Sequence, residues 1–85
     1  MDDTIKPLPW EPIQRFSDQF EFARFCDWIN ENITSGRAVE VDVQIRYRGI
    51  ESLTEKWFEH LNSQTTWRLV YPDGPFRGLF EQIGA

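Results

Sequence analysis

The spacing of the apolar residues changes at Gly36, and this change restricts the chain to a fold that mixes helix and sheet. Before Gly36, apolar residues recur every third or fourth position, which predicts an amphipathic helix over residues 18–33: Phe22, Phe25, Cys26, Ile29 and Ile33. After it, residues 38–48 alternate strictly between apolar and polar. A period of two predicts a strand with one buried face and one solvated face.

The boundaries of the predicted helix carry ordinary capping signals. Ser17 is expected to be the N-cap, with Asp18 and Glu21 in the first turn, where carboxylates complement the free backbone amides and the helix dipole. Gly36 ends the helix. Arg24, Asp27 and Glu31 fall opposite the apolar stripe, so that face should meet solvent.

The strand predicted over residues 38–48 presents five apolar side chains on one face: Val39, Val41, Val43, Ile45 and Tyr47. We expect the helix to pack on this valine face. Glu40 and Asp42 should then lie side by side on the solvated face. Such clean alternation is typical of antiparallel sheets, since parallel strands covered on both faces tend to be apolar throughout.

Residues 52–62 allow two interpretations. Ser52 and Glu55 have the spacing of a capping box, and Leu53, Trp57 and Leu61 make a helical stripe, which favours a short helix. The alternative is a strand over residues 56–61, because Trp and Phe are good strand residues. We adopt the helix and keep the strand as the alternative.

The last third of the chain predicts a hairpin. Residues 65–71 are rich in β-branched and aromatic side chains, residues 72–75 (Pro-Asp-Gly-Pro) form a turn, and residues 76–83 return as a strand bent near Gly78. The expected fold is therefore α+β, with one long helix and a possible second short one on a three- or four-stranded antiparallel sheet. Residues 1–9 are expected to be a flexible N-terminal arm and residues 10–85 one compact domain.

The segment before the helix should be extended and laid on the domain, because Pro12 disfavours a helix there. Its expected anchors are Trp10, Ile13 and Phe16. Phe20 falls on the polar side of the helix, and we expect this segment to cover it. The alternative is that Phe20 anchors a partner.

Charge and cysteine content narrow the function classes. Nine basic and fourteen acidic residues give a net charge of −5, which disfavours binding to nucleic acid or to anionic membranes. The chain has a single cysteine, so no internal disulfide or cysteine-based zinc site is expected, and no apolar stretch is long enough to span a membrane. We expect a cytoplasmic protein without metal or cofactor.

Catalysis is not expected either. His60 is the only histidine, and a nucleophilic partner for it would have to be Cys26 or one of several serines. Cys26 belongs to the apolar stripe, where a cysteine behaves as a small hydrophobic residue. No local motif supports a catalytic pair, so the sequence favours a protein that is not an enzyme.

The sequence therefore suggests a small protein-binding module, such as an inhibitor, an immunity-type protein or an adaptor, whose acidic surface would suit a basic protein partner. Its candidate partner-binding residues are Phe20, Asp27, Glu31, Glu40 and Asp42. The alternative is a small-molecule or peptide binder with an aromatic pocket between helix and sheet, lined by Trp28, Trp57 and Trp67. A homodimer through an unpaired strand edge is compatible with both.

Overall fold

The structure is a computed structural model that describes residues 10–84. A single α-helix precedes four strands: α1 (Gln19–Thr34), β1 (Ala38–Val41), β2 (Glu55–His60), β3 (Thr65–Val70) and β4 (Leu79–Gly84). The strands form one antiparallel sheet in the order β1-β2-β3-β4, with α1 against one face. The predicted α+β class is confirmed. The predicted flexible arm, residues 1–9, lies outside the described residues.

The helix begins one residue later than expected. Asp18 is the N-cap, because its Oδ1 accepts the amide of Glu21 at 2.8 Å, and the Glu21 carboxylate in turn accepts the amide of Ser17. The bond from Glu21 to Asp18 satisfies one of the amides that a helix start leaves free, and the bond from Ser17 to Glu21 holds the residue before the cap. At the other end, Gly36 takes a positive φ of 81° and donates to Ile33, which ends the helix as predicted.

The helix packs on the opposite face of β1 from the one expected. In the β1–β2 register, Glu40 pairs with Phe58 and Val41 with Trp57. Phe58 belongs to the core beneath α1, and directly paired residues share a face, so the helix-facing residues of β1 are Ala38 and Glu40. Val39 and Val41 point to the other side, which we call the back face. The expectation that α1 covers the valines is wrong. The residues that face the helix are shifted by one position, so every side chain of β1 points to the face opposite the expected one.

The predicted strand over residues 38–48 also ends early, at Val41. The chain then leaves the sheet, and the loop from residue 42 to residue 54 is attached to the back face through a 3-10 turn at Tyr47–Gly49. The amide of Tyr47 donates to the Glu55 carboxylate at 2.7 Å, and Arg68 Nη2 donates to the carbonyl of Ile45 at 3.2 Å. These bonds to side chains replace the ladder bonds that a longer strand would have made.

The helix favoured for residues 52–62 is wrong, and the strand alternative is correct. Glu55, expected in a capping box, is instead a buried acceptor on the back face, and residues 55–60 form β2 in the middle of the sheet. Trp57 and Phe58 point to opposite faces, and each packs on its own side. Packing on both faces of a central strand outweighs a local helical spacing.

The core lies between α1 and the sheet and is largely aromatic. Its buried members come from the segment before the helix, from α1 and from strands β2, β3 and β4: Phe16, Phe25, Ile29, Phe58, Trp67, Leu69 and Phe80. The rings of Phe25 and Phe80 meet edge to face at 4.7 Å, and those of Trp67 and Phe80 stack at 4.8 Å. Each buried side chain contributes about 1.5–3 kcal/mol of transfer free energy.

Residues 10–16, called here the N-terminal segment, lie along β4. Ile13 and Phe80 exchange two backbone hydrogen bonds of 2.8 Å, and the amide of Phe16 donates to the carbonyl of Arg77 at 3.1 Å. Trp10, Ile13 and Phe16 all pack against the core, so these three predicted anchors are confirmed. The segment thereby covers part of the β4 edge, which would otherwise present free amides and carbonyls.

The last strand begins at Leu79 rather than at residue 76, and the turn at Gly78 comes just before it instead of bending it. Gly78 has a φ of 79°, and a Cβ placed there would lie 2.8 Å from the carbonyl oxygen of Val70. Both the backbone angle and the close approach require glycine at this position.

Candidate functional site

The solvent-exposed face of α1 contains the most exposed aromatic side chain of the described chain, Phe20, which is 77% exposed. Arg24, Asp27 and Glu31 follow at helical spacing on the same face and are also exposed. We call these four residues the outer helix face. The N-terminal segment does not cover Phe20 as expected, because its aromatic residues pack on the opposite side of the helix. The ring of Phe16 meets Phe22 at 5.1 Å and Phe25 at 5.3 Å.

A cleft of about 440 Å³ opens beside this face, between the N-terminal segment and α1. We call it the Trp28 cleft. Its apolar lining comes from both elements: Pro12, Ile13, Phe16, Phe25 and Trp28. Its charged lining residues are Glu11, Glu21 and Arg24. The sequence did not predict this cleft, because it forms only where the segment and the helix diverge.

A second cleft, of about 660 Å³, lies on the other side of the helix start. It is bounded by the first turn of α1 and by the turn before β4, and its residues include Asp18, Phe22, Asp73 and Arg77. The Arg77 guanidinium donates to the carbonyls of Phe16 and Ser17. At about 100° per residue, Phe20 stands on the helix surface between the two clefts.

The five candidate partner-binding residues do not form one site. Phe20, Asp27 and Glu31 share the outer helix face, with Asp27 about 10 Å and Glu31 about 16 Å further along the axis than Phe20. Glu40 is exposed on the helix side of β1, which the chain enters after the C-terminal end of α1. Asp42 is exposed just beyond β1, in the loop that leaves the sheet. The acidic pair predicted on one wet sheet face is therefore separate from Phe20.

The back face holds a buried charge cluster. The Glu55 side chain is 1% exposed and accepts hydrogen bonds of 2.7 Å from Arg68 Nε, Trp57 Nε1 and the Tyr47 amide. Arg68 also bonds Glu81 at 3.0 Å and has its guanidinium 5.5 Å from the Tyr47 ring centroid. The Tyr47 amide belongs to the loop and Arg68 belongs to β3, so their bonds to the Glu55 carboxylate fasten the loop to the sheet. No local pattern in the sequence indicates this cluster, since its members are scattered from residue 47 to residue 81.

His60 lies at one end of a chain of hydroxyl groups. Its Nδ1 is 2.7 Å from Ser63 Oγ, which is 2.7 Å from Thr65 Oγ1, and Thr65 Oγ1 accepts from Trp67 Nε1 at 2.8 Å. The imidazole stacks on the Trp10 indole with centroids 4.5 Å apart. Burial, and secondarily the charge of Arg37, lower the pKa of His60. These contacts close the β2–β3 turn and pin Trp10 to the sheet.

Cys26 is half-buried on the side of α1 that faces the protein. Burial raises the pKa of its thiol, and the neighbouring charge of Asp27 acts in the same direction. Such a thiol is a poor nucleophile near neutral pH because little of it is ionised. The serine close to His60 is Ser63, so the structure does not bring Cys26 and His60 together as a bonded pair.

The three tryptophans of the alternative binding function do not line one pocket. Trp28 and Trp67 both contact Trp10, with centroids 5.3 Å and 5.8 Å from it. Trp57 pairs with Arg68 in the β2–β3 register and lies on the back face. Trp57 therefore cannot line a pocket between helix and sheet. The third indole beside Trp28 and Trp67 is that of Trp10.

Within residues 10–84, no group of three or more His, Cys, Asp and Glu side chains is placed to hold a metal ion. The described part of the chain contains no helix with the length and apolar character needed to cross a membrane. A scan against protein-family models gives no match, and searches of curated proteins and of solved structures give no significant similarity.

Proposed function

We propose that this protein is a small binding module for another protein, of the inhibitor, immunity-type or adaptor kind, and that it docks through the outer helix face. The observation that carries the proposal is Phe20, a large aromatic side chain left 77% exposed on a helix whose other aromatic residues are packed. Exposed aromatic residues with polar neighbours are typical anchors of protein interfaces.

Phe20 contributes little to the stability of the folded monomer and would contribute much to the stability of a complex. Burying a Phe side chain gains about 1.5–3 kcal/mol of transfer free energy, and this gain is not taken up within the described chain. In an interface the same burial would make Phe20 a central contact. Asp27 and Glu31 would lie further along the same helix face, where charges increase the association rate and select the partner.

The charge balance supports a basic partner. The chain as a whole carries −5, and the outer helix face holds two carboxylates against one guanidinium. Opposite potentials attract over roughly a Debye length of 8–10 Å at physiological salt. We further propose that the protein acts in the cytoplasm, where a reducing medium keeps Cys26 as a thiol.

The test uses the intact chain as bait in a lysate of its native host, with quantitative mass spectrometry of the bound proteins. Phe20→Ala is compared with Ile45→Ala, a matched control because Ile45 is 71% exposed but lies in the back-face loop. We expect Phe20→Ala to weaken capture of a specific partner more than about tenfold, as for an interface hot spot. Ile45→Ala should capture it normally.

Three results would count against the proposal. The first is the absence of any partner that binds the purified protein at micromolar concentration. The second is a partner whose affinity is the same for wild type and Phe20→Ala. Loss of capture in both variants would also contradict it, because the interface would then not be specific to the outer helix face.

A further inference from the structure

The Trp28 cleft has the composition of a site for a cationic side chain. Three aromatic residues line it, Phe16, Phe25 and Trp28, and the ring centroids of Phe25 and Trp28 are 5.3 Å apart. Carboxylates border it from two separate elements, Glu11 on the N-terminal segment and Glu21 on α1. A guanidinium gains from both kinds of neighbour, since it stacks on aromatic faces and bonds carboxylates.

The charges around the cleft are not neutralised by one another. Within residues 10–84 both ion pairs are made by Arg68 on the back face, so Arg24 is not paired with Glu11 or Glu21. The Glu21 carboxylate uses Oε1 to accept the Ser17 amide, and a carboxylate has a second oxygen for another donor. Together with Asp27 and Glu31, the cleft and the outer helix face hold four carboxylates and one guanidinium, a balance of −3.

We infer that the Trp28 cleft receives an arginine side chain of the protein partner, while Phe20 contacts a different part of that partner outside the cleft. This inference rests on the proposed function and specifies the partner chemistry. An aliphatic side chain would fill the apolar part but would desolvate the carboxylates without pairing them, which is costly. A second copy of this chain would bring one surface with a net charge of −3 against another, and the two surfaces would repel each other.

Arginine is favoured over lysine for a physical reason. The ammonium group is compact and strongly hydrated, whereas the planar guanidinium is weakly hydrated and keeps its charge when it stacks on a ring. The Trp28 indole is half-buried, so one part of its surface is open to the cleft. Arg24, at the same rim, opposes a second cation, and its removal should therefore strengthen binding.

The experiment titrates the full chain with N-acetyl-arginine amide and follows the indole N–H signals by NMR. N-acetyl-citrulline amide is the matched probe, because it has nearly the same shape without the charge. We expect a saturable shift of the Trp28 indole, with arginine bound about three- to fivefold more tightly than citrulline, the size of an exposed ion pair. The Trp57 indole is an internal control, since it lies on the back face.

Three variants complete the test. Glu11→Gln combined with Glu21→Gln should remove the preference for arginine, while the amide oxygen introduced at position 21 can still accept from the Ser17 amide. Arg24→Gln should strengthen arginine binding. Phe20→Ala should leave it unchanged, because Phe20 does not line the cleft. This last variant separates the inference from the proposed function, in which Phe20→Ala weakens partner capture.

Equal affinity for arginine and citrulline, equal shifts at Trp28 and Trp57, or no saturation would each overturn the inference. It would also be overturned by sedimentation data in which the protein dimerises at the titration concentration and the Glu11 and Glu21 substitutions abolish the dimer. That result would identify a second copy as the occupant.

Discussion

Replacing Arg68 with leucine should strongly destabilise this protein, because the substitution leaves the buried Glu55 carboxylate without its countercharge. Arg68 is 14% exposed and bonds a Glu55 carboxylate that is 1% exposed. Without the guanidinium, Glu55 remains buried as a charge without its countercharge. The three atoms that Arg68 bonds belong to β2, to β4 and to the loop after β1, so the substitution also loosens that loop.

The magnitude follows from what stays behind. Removing one partner of a buried ion pair costs about 3–5 kcal/mol. The lower end applies here, because Glu55 keeps two further donors, the Tyr47 amide and Trp57 Nε1. We therefore expect a loss of about 3 kcal/mol, against a total stability of about 4–13 kcal/mol for a chain of this length. By contrast, Glu81 is 41% exposed, and Glu81→Gln should cost at most about 1 kcal/mol.

Urea unfolding monitored by tryptophan fluorescence measures both losses. With a urea dependence of about 1–2 kcal/mol per molar, Arg68→Leu should lower the midpoint by about 1.5–3 M and Glu81→Gln by under about 1 M. If Arg68→Leu is unfolded without denaturant, Arg68→Lys is measured instead. Lysine keeps the charge but lacks the planar guanidinium, so its unfolding midpoint should lie between those of the leucine variant and the wild type. Equal midpoints for the leucine and glutamine variants would refute the reasoning.

Three further predictions concern single positions. Gly78→Ala should cost more than Gly49→Ala in the same unfolding assay: both have positive φ, worth about 1–2 kcal/mol, but only Gly78 has a backbone oxygen where the Cβ would go. Equal losses would mean that the close approach relaxes freely. Cys26 should react with a thiol reagent at pH 7.5 more slowly than a free cysteine, because its pKa is raised; an equal or faster rate would contradict the burial. The pKa of His60 is lowered on folding, so the unfolded chain binds more protons near and below about pH 6.5. The contribution of His60 to the free energy of unfolding is therefore fully present above that pH, and it is lost as the pH falls through the pKa of the folded state. His60→Gln should flatten this part of the stability profile, and an unchanged slope would show that His60 does not cause it.

The elements that the sequence predicted well are those whose signal is local. The helix was expected over residues 18–33 and runs over Gln19–Thr34, and the strand expected over residues 65–71 runs over Thr65–Val70. In both, side-chain periodicity and the flanking Gly, Pro or capping residues agree with the final packing. Asp18 replaced Ser17 as N-cap, a difference of one residue between two good caps.

The failures come from long-range pairing. The alternation over residues 38–48 identified a strand, yet the buried side was decided by the register with β2, where Glu40 rather than Val41 pairs with Phe58. Alternation states that two faces differ but not which one meets the helix. Residues 55–60 form a central strand whose side chains pack with residues distant in sequence, as when Glu55 bonds Arg68 thirteen positions away. No local window contains that bond.

The candidate site was predicted in part. The outward direction of Phe20, Asp27 and Glu31 follows from helical geometry, and all three are exposed. The N-terminal segment does not cover Phe20, because Trp10 packs instead against four other aromatic rings: His60, Trp28, Trp67 and Phe80. Those four residues are distant from Trp10 in sequence. The sequence alone therefore could not show that the N-terminal segment packs in this aromatic cluster rather than over Phe20.

The bonds between Arg77 and the carbonyls of Phe16 and Ser17 join positions about sixty residues apart. During synthesis on a ribosome, the beginning of the domain therefore emerges long before the residues that fasten it. Until β4 leaves the exit tunnel, Trp10, Ile13 and Phe16 lack their strand, and the nascent chain carries exposed aromatic surface. The domain should accordingly fold only after β4 has left the exit tunnel, because its core and the hydrogen bonds of its N-terminal segment need that strand.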